Sequence, residues 1–342
     1  MDFKKIFIKD ACPTKIGGQA VLEGIMMKSE DRTAVVMRAD KGRLYIKTEK
    51  LEPRNKASKI PIVRGVYIFV STLATGMKTL MYSAEVLEKL LVEENPDNDN
   101  AEEQNEEGGM PFGVMIALSV IIAIAFVVGI FIIVPTVAVN FLSAYTDSAV
   151  LLNVFEGVLR IVLFVIYIAV ISRMKDIQTT FEYHGAEHQT IHCYENGRPL
   201  SPKEASQYET LHPRCGTSFL MFVMIIALLL FSLLGWPDLL TRVLSRIIFI
   251  PLIAGLSFEL LRFAGSHDTL LIRILSIPGL LLQKLTTRVP DDSQLEVAIA
   301  AMNAVLAPPD SPDIEGYCDL DGRLLPDENP LEYESALEGQ WI

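Results

Sequence analysis

Residues 111–139 contain no charged side chain. About 20 apolar residues in helical form cross the ~30 Å hydrocarbon layer of a bilayer. Three further runs, 151–172, 217–235 and 243–263, approach that length with few charges. They set the expected fold class: a mainly α, polytopic helical membrane protein with about four spans. Half of the 342 residues are hydrophobic, yet the formal net charge is -12, so apolar and acidic residues must be segregated along the chain. Residues 93–107 carry eight Asp or Glu and no Lys or Arg, and the segment after Pro308 is acidic and proline-rich. Both read as solvated, disordered chain. Nothing in the charge pattern suggests a nucleic-acid partner.

Lysine and arginine set the expected orientation. Seventeen of the thirty lie in the first 110 residues, five lie in 173–216, and residues 140–150 have none. The positive-inside rule then places both termini and the 173–216 connection in the cytoplasm, with short loops outside. The expected location is the plasma membrane, the bilayer is the expected partner, and a homo-oligomer is left open. The N-terminus has no apolar core of signal-peptide length. Four cysteines without a disulfide-framework spacing fit reduced thiols.

The sequence divides as follows. Residues 1–59 are polar, and β-prone runs at 33–38 and 44–50 flank a turn ending in Gly42, which reads as a hairpin inside a small α+β cytoplasmic domain. Residues 60–92 are apolar but interrupted by Arg64, Lys78 and Lys89, which suits an interfacial or re-entrant helix. An acidic linker at 93–110 precedes spans one and two at 111–172. A His-rich cytoplasmic connection at 173–216 leads to spans three and four at 217–263. Residues 264–306 read as an interfacial segment, then a helix capped by Asp291 or Asp292 with Leu295, Ile299, Met302 and Leu306 on one face. The remainder, 307–342, reads as an acidic disordered tail. Within the spans, Glu156 and Arg160 are four apart and Glu259 and Arg262 three apart; such charges face a bundle interior or a polar cavity, the expectation for mid-span Arg160, while Arg262 at a span end is expected to snorkel to the boundary.

The chemistry concentrates between spans two and three. Four of the five histidines, His184, His188, His192 and His212, lie there with Cys215. In a helix, positions four apart drift by only ~40°, so His184, His188, His192 and Glu195 share one stripe, flanked by Glu187. His184 and His192 are ~12 Å apart along the axis, too far for one ion with bonds of ~2 Å. One histidine must therefore support rather than ligate, or the helix breaks, or two ions bind. Residues 184–188 match H-x-x-E-H, the inverted zinc-protease pattern, in which the two histidines hold zinc and Glu187 activates water. A histidine stripe beside spans also fits di-iron oxygenases, which need more clusters than this chain has. His212 and Cys215 sit in a tight Pro/Gly loop beside Arg214, a setting that favours thiolate. His267, with Asp268, reads as a further ligand or a helix-end residue.

Four blocks together, IGGQAVLEGIMMK, FEYHGAEHQTIHCYE, LHPRCGTSF and QKLTTRVPDDSQLEVAIAA, resemble the YqhQ-like family, domain of unknown function 1385, over residues 15–306. The resemblance implies a bacterial multipass membrane protein of the kind described as a metal-dependent enzyme, with no substrate named. Its polar signature maps to Gln19, Glu23, His184, Glu187, His188, His192, Glu195, His212 and Cys215. Gln19 and Glu23, four apart, are expected to face the histidine stripe.

These readings converge on a cytoplasmic-face metal site. The expected ligands of a divalent ion, zinc first, are His184, His188, His192, His212 and Cys215, with Glu187 as general base in a metal-dependent hydrolysis. The alternatives are a non-catalytic scaffold with a structural metal clip, and a transporter using Glu156, Arg160 and Glu259.

Overall fold

The computed structural model describes residues 6–7, 12–39, 42–52, 60–94, 112–235, 239–266 and 269–325. Most of the acidic linker, His267, Asp268 and the chain after residue 325 lie outside the described residues. Five strands, β1 (Gly17–Val21), β2 (Gly24–Lys28), β3 (Arg32–Arg38), β4 (Leu44–Lys50) and β5 (Glu315–Cys318), form one antiparallel sheet in the order β1-β2-β3-β4-β5. The expected hairpin is β3–β4, with Val36 opposite Ile46 and Gly42 at φ +79° in the connection. The tail was expected to be disordered from 307, and the structure corrects this. Its residues 315–318 pair with the free edge of β4, and Tyr317 packs edge-on against Tyr45. Four residues are too few to show a strand's two-residue period.

Helices cover both faces of the sheet. On one face Ile25, Met27, Val36 and Ile46 meet helix α5 (Lys175–Glu195) and helix α10 (Asp292–Val305). On the other, Val21, Met26, Val35 and Met37 meet Val86 and Leu90 of helix α1 (Val63–Glu94). Strand β2 is accordingly buried on both sides and reads GIMMK without alternation. Helix α10 begins at the expected place: Asp291 and Gln294 form a reciprocal capping box. Its alanines let it lie close to the sheet.

The apolar part is helical. Helix α2 (Phe112–Val128) continues through a π turn (Gly129–Ile133) into α3 (Val134–Leu142). Helix α4 (Ala149–Ile171) is followed by α5, the short α6 (Pro202–Ala205), α7 (Gly216–Ser232), α8 (Leu239–Ser266) and α9 (Leu270–Thr286). Among the described residues, three stretches are long and apolar enough to cross a membrane: Ile121–Leu142, Ala149–Ile171 and Leu244–Ala264. The expected third span, 217–235, corresponds to a shorter apolar helix, the 17-residue α7. Its Ser218, Phe219, Met221 and Phe222 are buried in the bundle. The first stretch runs past Val139 because Pro135 lies at the first turn of α3, where its missing N–H is tolerated.

Two glycines bring α1 onto α8. A Cβ on Gly65 would lie 2.9 Å from the Gly255 Cα, and one on Gly255 would lie 2.4 Å from Ile62. Gly255 is near the middle of a candidate span, so the start of α1 packs beside that part of α8, and α1 reaches the sheet at its far end. Arg64 pairs with Glu259, its Nε donating to Oε1 at 2.6 Å. The partner of Glu259 is therefore Arg64 on another helix.

Candidate metal centre

Helix α5 carries the histidine stripe, and its first-turn and mid-helix contacts fix where the stripe points. Gly185 allows the chain at 286–288 to lie directly against the helix: a Cβ there would come within 1.9 Å of the Arg288 carbonyl oxygen. That approach lets the Arg288 N–H donate to the Phe181 carbonyl at 2.9 Å. It also sets the Thr286 carbonyl 2.7 Å from His184 Nδ1. A carbonyl only accepts, so Nδ1 holds the proton and Nε2 presents a lone pair. His188 is oriented the same way, with Nδ1 2.5 Å from the Thr210 carbonyl. Its Nε2 is buried and makes no hydrogen bond among the described residues.

Cys215 completes the convergence. Its thiol caps the N-terminus of α7, accepting from the Thr217 amide at 3.4 Å, and lies 3.2 Å from His184 Nε2. The ligand atoms of His184, His188 and Cys215 all fall within 4.8 Å of one another. In a tetrahedral zinc shell such atoms stand roughly 3.5 Å apart. Burial opposes thiolate at Cys215, but His188 and the hydroxyl and amide of Thr217 outweigh it and hold its pKa below the ordinary thiol value. A helix N-terminus favours the anion further. Burial also lowers the pKa of His188, which keeps the imidazole neutral and able to ligate.

His192 and His212 are not among these converging atoms. His192 Nε2 lies 3.0 Å from the Leu211 carbonyl, and His212 Nδ1 accepts from the Arg214 amide at 3.3 Å. Burial drives both pKa values down, His192 to about 4 and His212 to about 3. The two rings pack 4.5 Å apart, and His212 stands between His192 and His188. Glu195 is bound through both oxygens by Arg214 and accepts from the Thr14 amide and hydroxyl at 2.7 and 2.9 Å. Burial would raise its carboxyl, but His212, Arg214 and Thr14 hold it down, at about 2. His212 Nε2 is 3.8 Å from Glu195, an electrostatic neighbour beyond hydrogen-bond distance. Glu195 and Arg214 tie the segment around Thr14 to the end of α5.

Glu187 faces the trio's cavity. Its Oε1 accepts from the Gly18 amide at 2.8 Å, and burial, against the pull of His184 and Gly18, raises its pKa to about 7. A Cβ on Gly18 would meet the Met26 carbonyl at 2.6 Å and the Glu187 carboxyl carbon at 2.9 Å, so the close approach needs glycine. A cavity of about 400 Å³ opens here, lined by His184, Glu187, His188 and Cys215 on one side and β1 on the other. Gln19 lines the same cavity, while its amide lies against Gly76 of α1. Glu23 does not reach the histidines. Residues 19–23 form strand and turn rather than helix, and Glu23, at φ +48°, accepts instead from the Tyr183 hydroxyl at 3.4 Å.

Sequence reasoning missed the residues that hold the site's backbone. Gln283 accepts from the His212 amide at 2.8 Å and donates to the His212 carbonyl at 2.9 Å and Ser218 at 3.1 Å. Thr286 supplies the carbonyl that fixes His184. Both lie in the block QKLTTRVPDDSQ, whose polar residues in an apolar helix were the available signal.

Apolar helices of membrane-crossing length and a small antiparallel sheet, joined through a His/Cys cluster, define the class as a membrane-associated, mainly helical protein. Residues 60–308 match the family described as "Protein of unknown function (DUF1385)". The chain is also 33% identical over 306 residues to "Uncharacterized protein YqhQ" of Bacillus subtilis (strain 168), covering 87% of this chain and 94% of that one. The chain belongs to the DUF1385 family. The matched region holds every histidine and cysteine of the cluster and begins after Gln19 and Glu23. No solved structure matches the chain.

Proposed function

We propose that the chain is a multipass protein of the plasma membrane that holds one divalent metal ion, zinc by donor chemistry, at its cytoplasmic face and uses it in hydrolysis. One observation carries the reading: the buried, unpartnered Nε2 of His188, beside the Nε2 of His184 and the thiol of Cys215. A buried polar atom without a partner costs on the order of 1–3 kcal/mol, and a metal bond removes that cost. Two imidazoles and one thiolate suit zinc, and three protein ligands leave one position open, as in catalytic rather than structural sites.

The residues then divide by task. His184, His188 and Cys215 would hold the ion, with Thr286 and Thr210 fixing the tautomers that aim each Nε2 inward. A bound zinc ion supplies Lewis acidity and makes water a stronger acid at the site. Glu187, held by Gly18 at the cavity wall, takes a proton there as general base. His192, His212, Glu195 and Arg214 position the ligands and dock the N-terminal segment. Lysine and arginine counts put this face inside, and the 143–148 loop outside.

The second reading is a non-catalytic metal clip that joins the N-terminal sheet to the bundle. It is favoured by the Gly18–Glu187 and Thr14–Glu195 ties. Zinc content and turnover separate the two. Purified full-length protein is expected to retain one zinc per chain, and His188→Ala to lose it. Glu187→Gln is expected to keep zinc but lose hydrolysis of a panel of fluorogenic amide and ester substrates. Zinc retention without turnover by the wild type selects the clip. Equal zinc in wild type and His188→Ala refutes both.

A further inference from the structure

A second charged cluster lies inside the bundle, on the side away from the metal centre. Glu156 of α4 is buried and receives both Arg160 from its own helix and Arg246 from α8. Each of Glu156 and Arg246 stands seven residues, or ~10 Å, from the start of its helix. Within the candidate spans, Glu156 stands seven residues from the start of Ala149–Ile171 and Arg246 two from the start of Leu244–Ala264.

Arg160 is anchored by backbone chemistry. The Phe131 carbonyl lies in the π turn, and the residue four ahead, which would donate to it in an α-helix, is Pro135. Proline has no N–H, so the α-type bond to that carbonyl cannot form. The Nε of Arg160 donates to it at 3.0 Å, and Nη2 donates to Glu156 Oε1 at 2.9 Å. Arg246 donates to both Glu156 oxygens, at 2.5 Å to Oε2.

The cluster is unbalanced. Among the described residues, two guanidinium groups share one carboxylate, which leaves one positive charge over. Two arginines offer about ten N–H donors, of which these bonds use four. A guanidinium charge without a counter-charge is costly inside an apolar bundle. Both arginines and Glu156 border a cavity of about 140 Å³ whose remaining wall is mostly apolar, including Val223, Ala227 and Leu228. A charged rim over an apolar floor matches a ligand of the same division.

We propose that this cavity binds one oxyanion head group carried on an apolar chain, with Arg160 and Arg246 as its donors. A fatty-acid carboxylate and a phospholipid phosphate share that chemistry. The site is separate from the metal centre and stands whether or not that centre is catalytic.

The test uses the full chain in phosphatidylcholine nanodiscs, with oleate, phosphatidic acid, oleyl alcohol and inorganic phosphate as probes and native mass spectrometry as readout. One oleate or one phosphatidic acid per chain is expected, at least about tenfold above oleyl alcohol, since each arginine adds a charge-assisted hydrogen bond. Which of the two is retained identifies the source. Ala227→Phe fills the cavity without touching the charges and is expected to abolish retention. Arg246→Gln leaves the neutral Glu156–Arg160 pair and is expected to weaken it about tenfold. Unchanged zinc content and unfolding midpoint establish that each variant is folded, and the wild-type comparison of oleate with oleyl alcohol decides the matter without variants. Equal retention of acid and alcohol, binding of inorganic phosphate alone, or retention untouched by both substitutions overturns the proposal.

Discussion

Substituting Gly185 by alanine tests how the metal centre is built, because two physical effects predict opposite signs. Alanine is a better helix former than glycine by about 1 kcal/mol, so propensity alone predicts stabilisation of α5. The structure predicts the reverse. The new Cβ would sit 1.9 Å from the Arg288 carbonyl oxygen, and that oxygen is backbone that must retreat by more than an ångström. Retreat stretches the Arg288 N–H bond to Phe181 and the His184 bond to the Thr286 carbonyl. Two hydrogen bonds at about 1 kcal/mol each and overpacking of about 1–3 kcal/mol, less the propensity gain, give a net loss of about 2–4 kcal/mol. Losing the Thr286 contact also frees His184 to flip or take its other tautomer. Zinc affinity is then expected to fall by about tenfold or more, the usual cost of removing an outer-shell partner. Denaturant unfolding in detergent micelles reads the first effect, and competition with a chromophoric chelator reads the second. A Gly185→Ala protein as stable as wild type, with unchanged zinc affinity, refutes the account of why α5 lies where it does.

Three further outcomes follow from named contacts. Gly18→Ala is expected to lower stability by about 1–3 kcal/mol through overpacking and to abolish hydrolysis while zinc is retained, as read by unfolding and elemental analysis; full turnover refutes the positioning of Glu187. Metal-stripped protein is expected to lose stability as pH falls. His192 and His212 have folded pKa values depressed to about 4 and about 3, so the unfolded chain binds protons first, and their contribution, full above about pH 6.5, is lost below it. Glu195, held at about 2, adds a loss that begins below about pH 4.5 and is complete near 2. Glu187, raised to about 7, acts with the opposite sign between about pH 7 and 4.5 and offsets part of the histidine loss there, so a midpoint that stays flat between about pH 4.5 and 3 contradicts this. For orientation, a cysteine at Tyr145, exposed in the 143–148 loop, is expected to react with an impermeant maleimide in intact cells, and one at Lys203 only after permeabilisation; the opposite pattern inverts the topology.

What the sequence made legible was whatever repeats with a period. His184, His188 and His192 read as one helical stripe because they recur every four residues, and they are one. The β3–β4 hairpin and the start of α10 at Asp291 were marked by turn and capping residues. The division of the stripe was not legible. The ~12 Å span excluded a single three-histidine site, but only tertiary partners, Thr210 at Nδ1 of His188 and Leu211 at Nε2 of His192, decide which Nε2 is left without a hydrogen bond. Gln19 and Glu23 misled for the same reason: spacing of four suggests a helix face, while pairing with β2 makes 17–21 a strand. Glu156 with Arg160 was a local pair and visible; Arg246, ninety residues away, was not. Strand β5 was too short to carry a pattern, and its formation depends on the open edge of β4.

X-ray absorption at the zinc edge on full-length protein, beside Cys215→Ser, addresses the metal centre most directly. One sulfur at about 2.3 Å and two imidazole nitrogens at about 2.0–2.1 Å are expected in the wild type, with the sulfur absent from the variant. A shell without sulfur, a sulfur that persists in Cys215→Ser, or protein that retains no metal contradicts the site drawn from His184, His188 and Cys215.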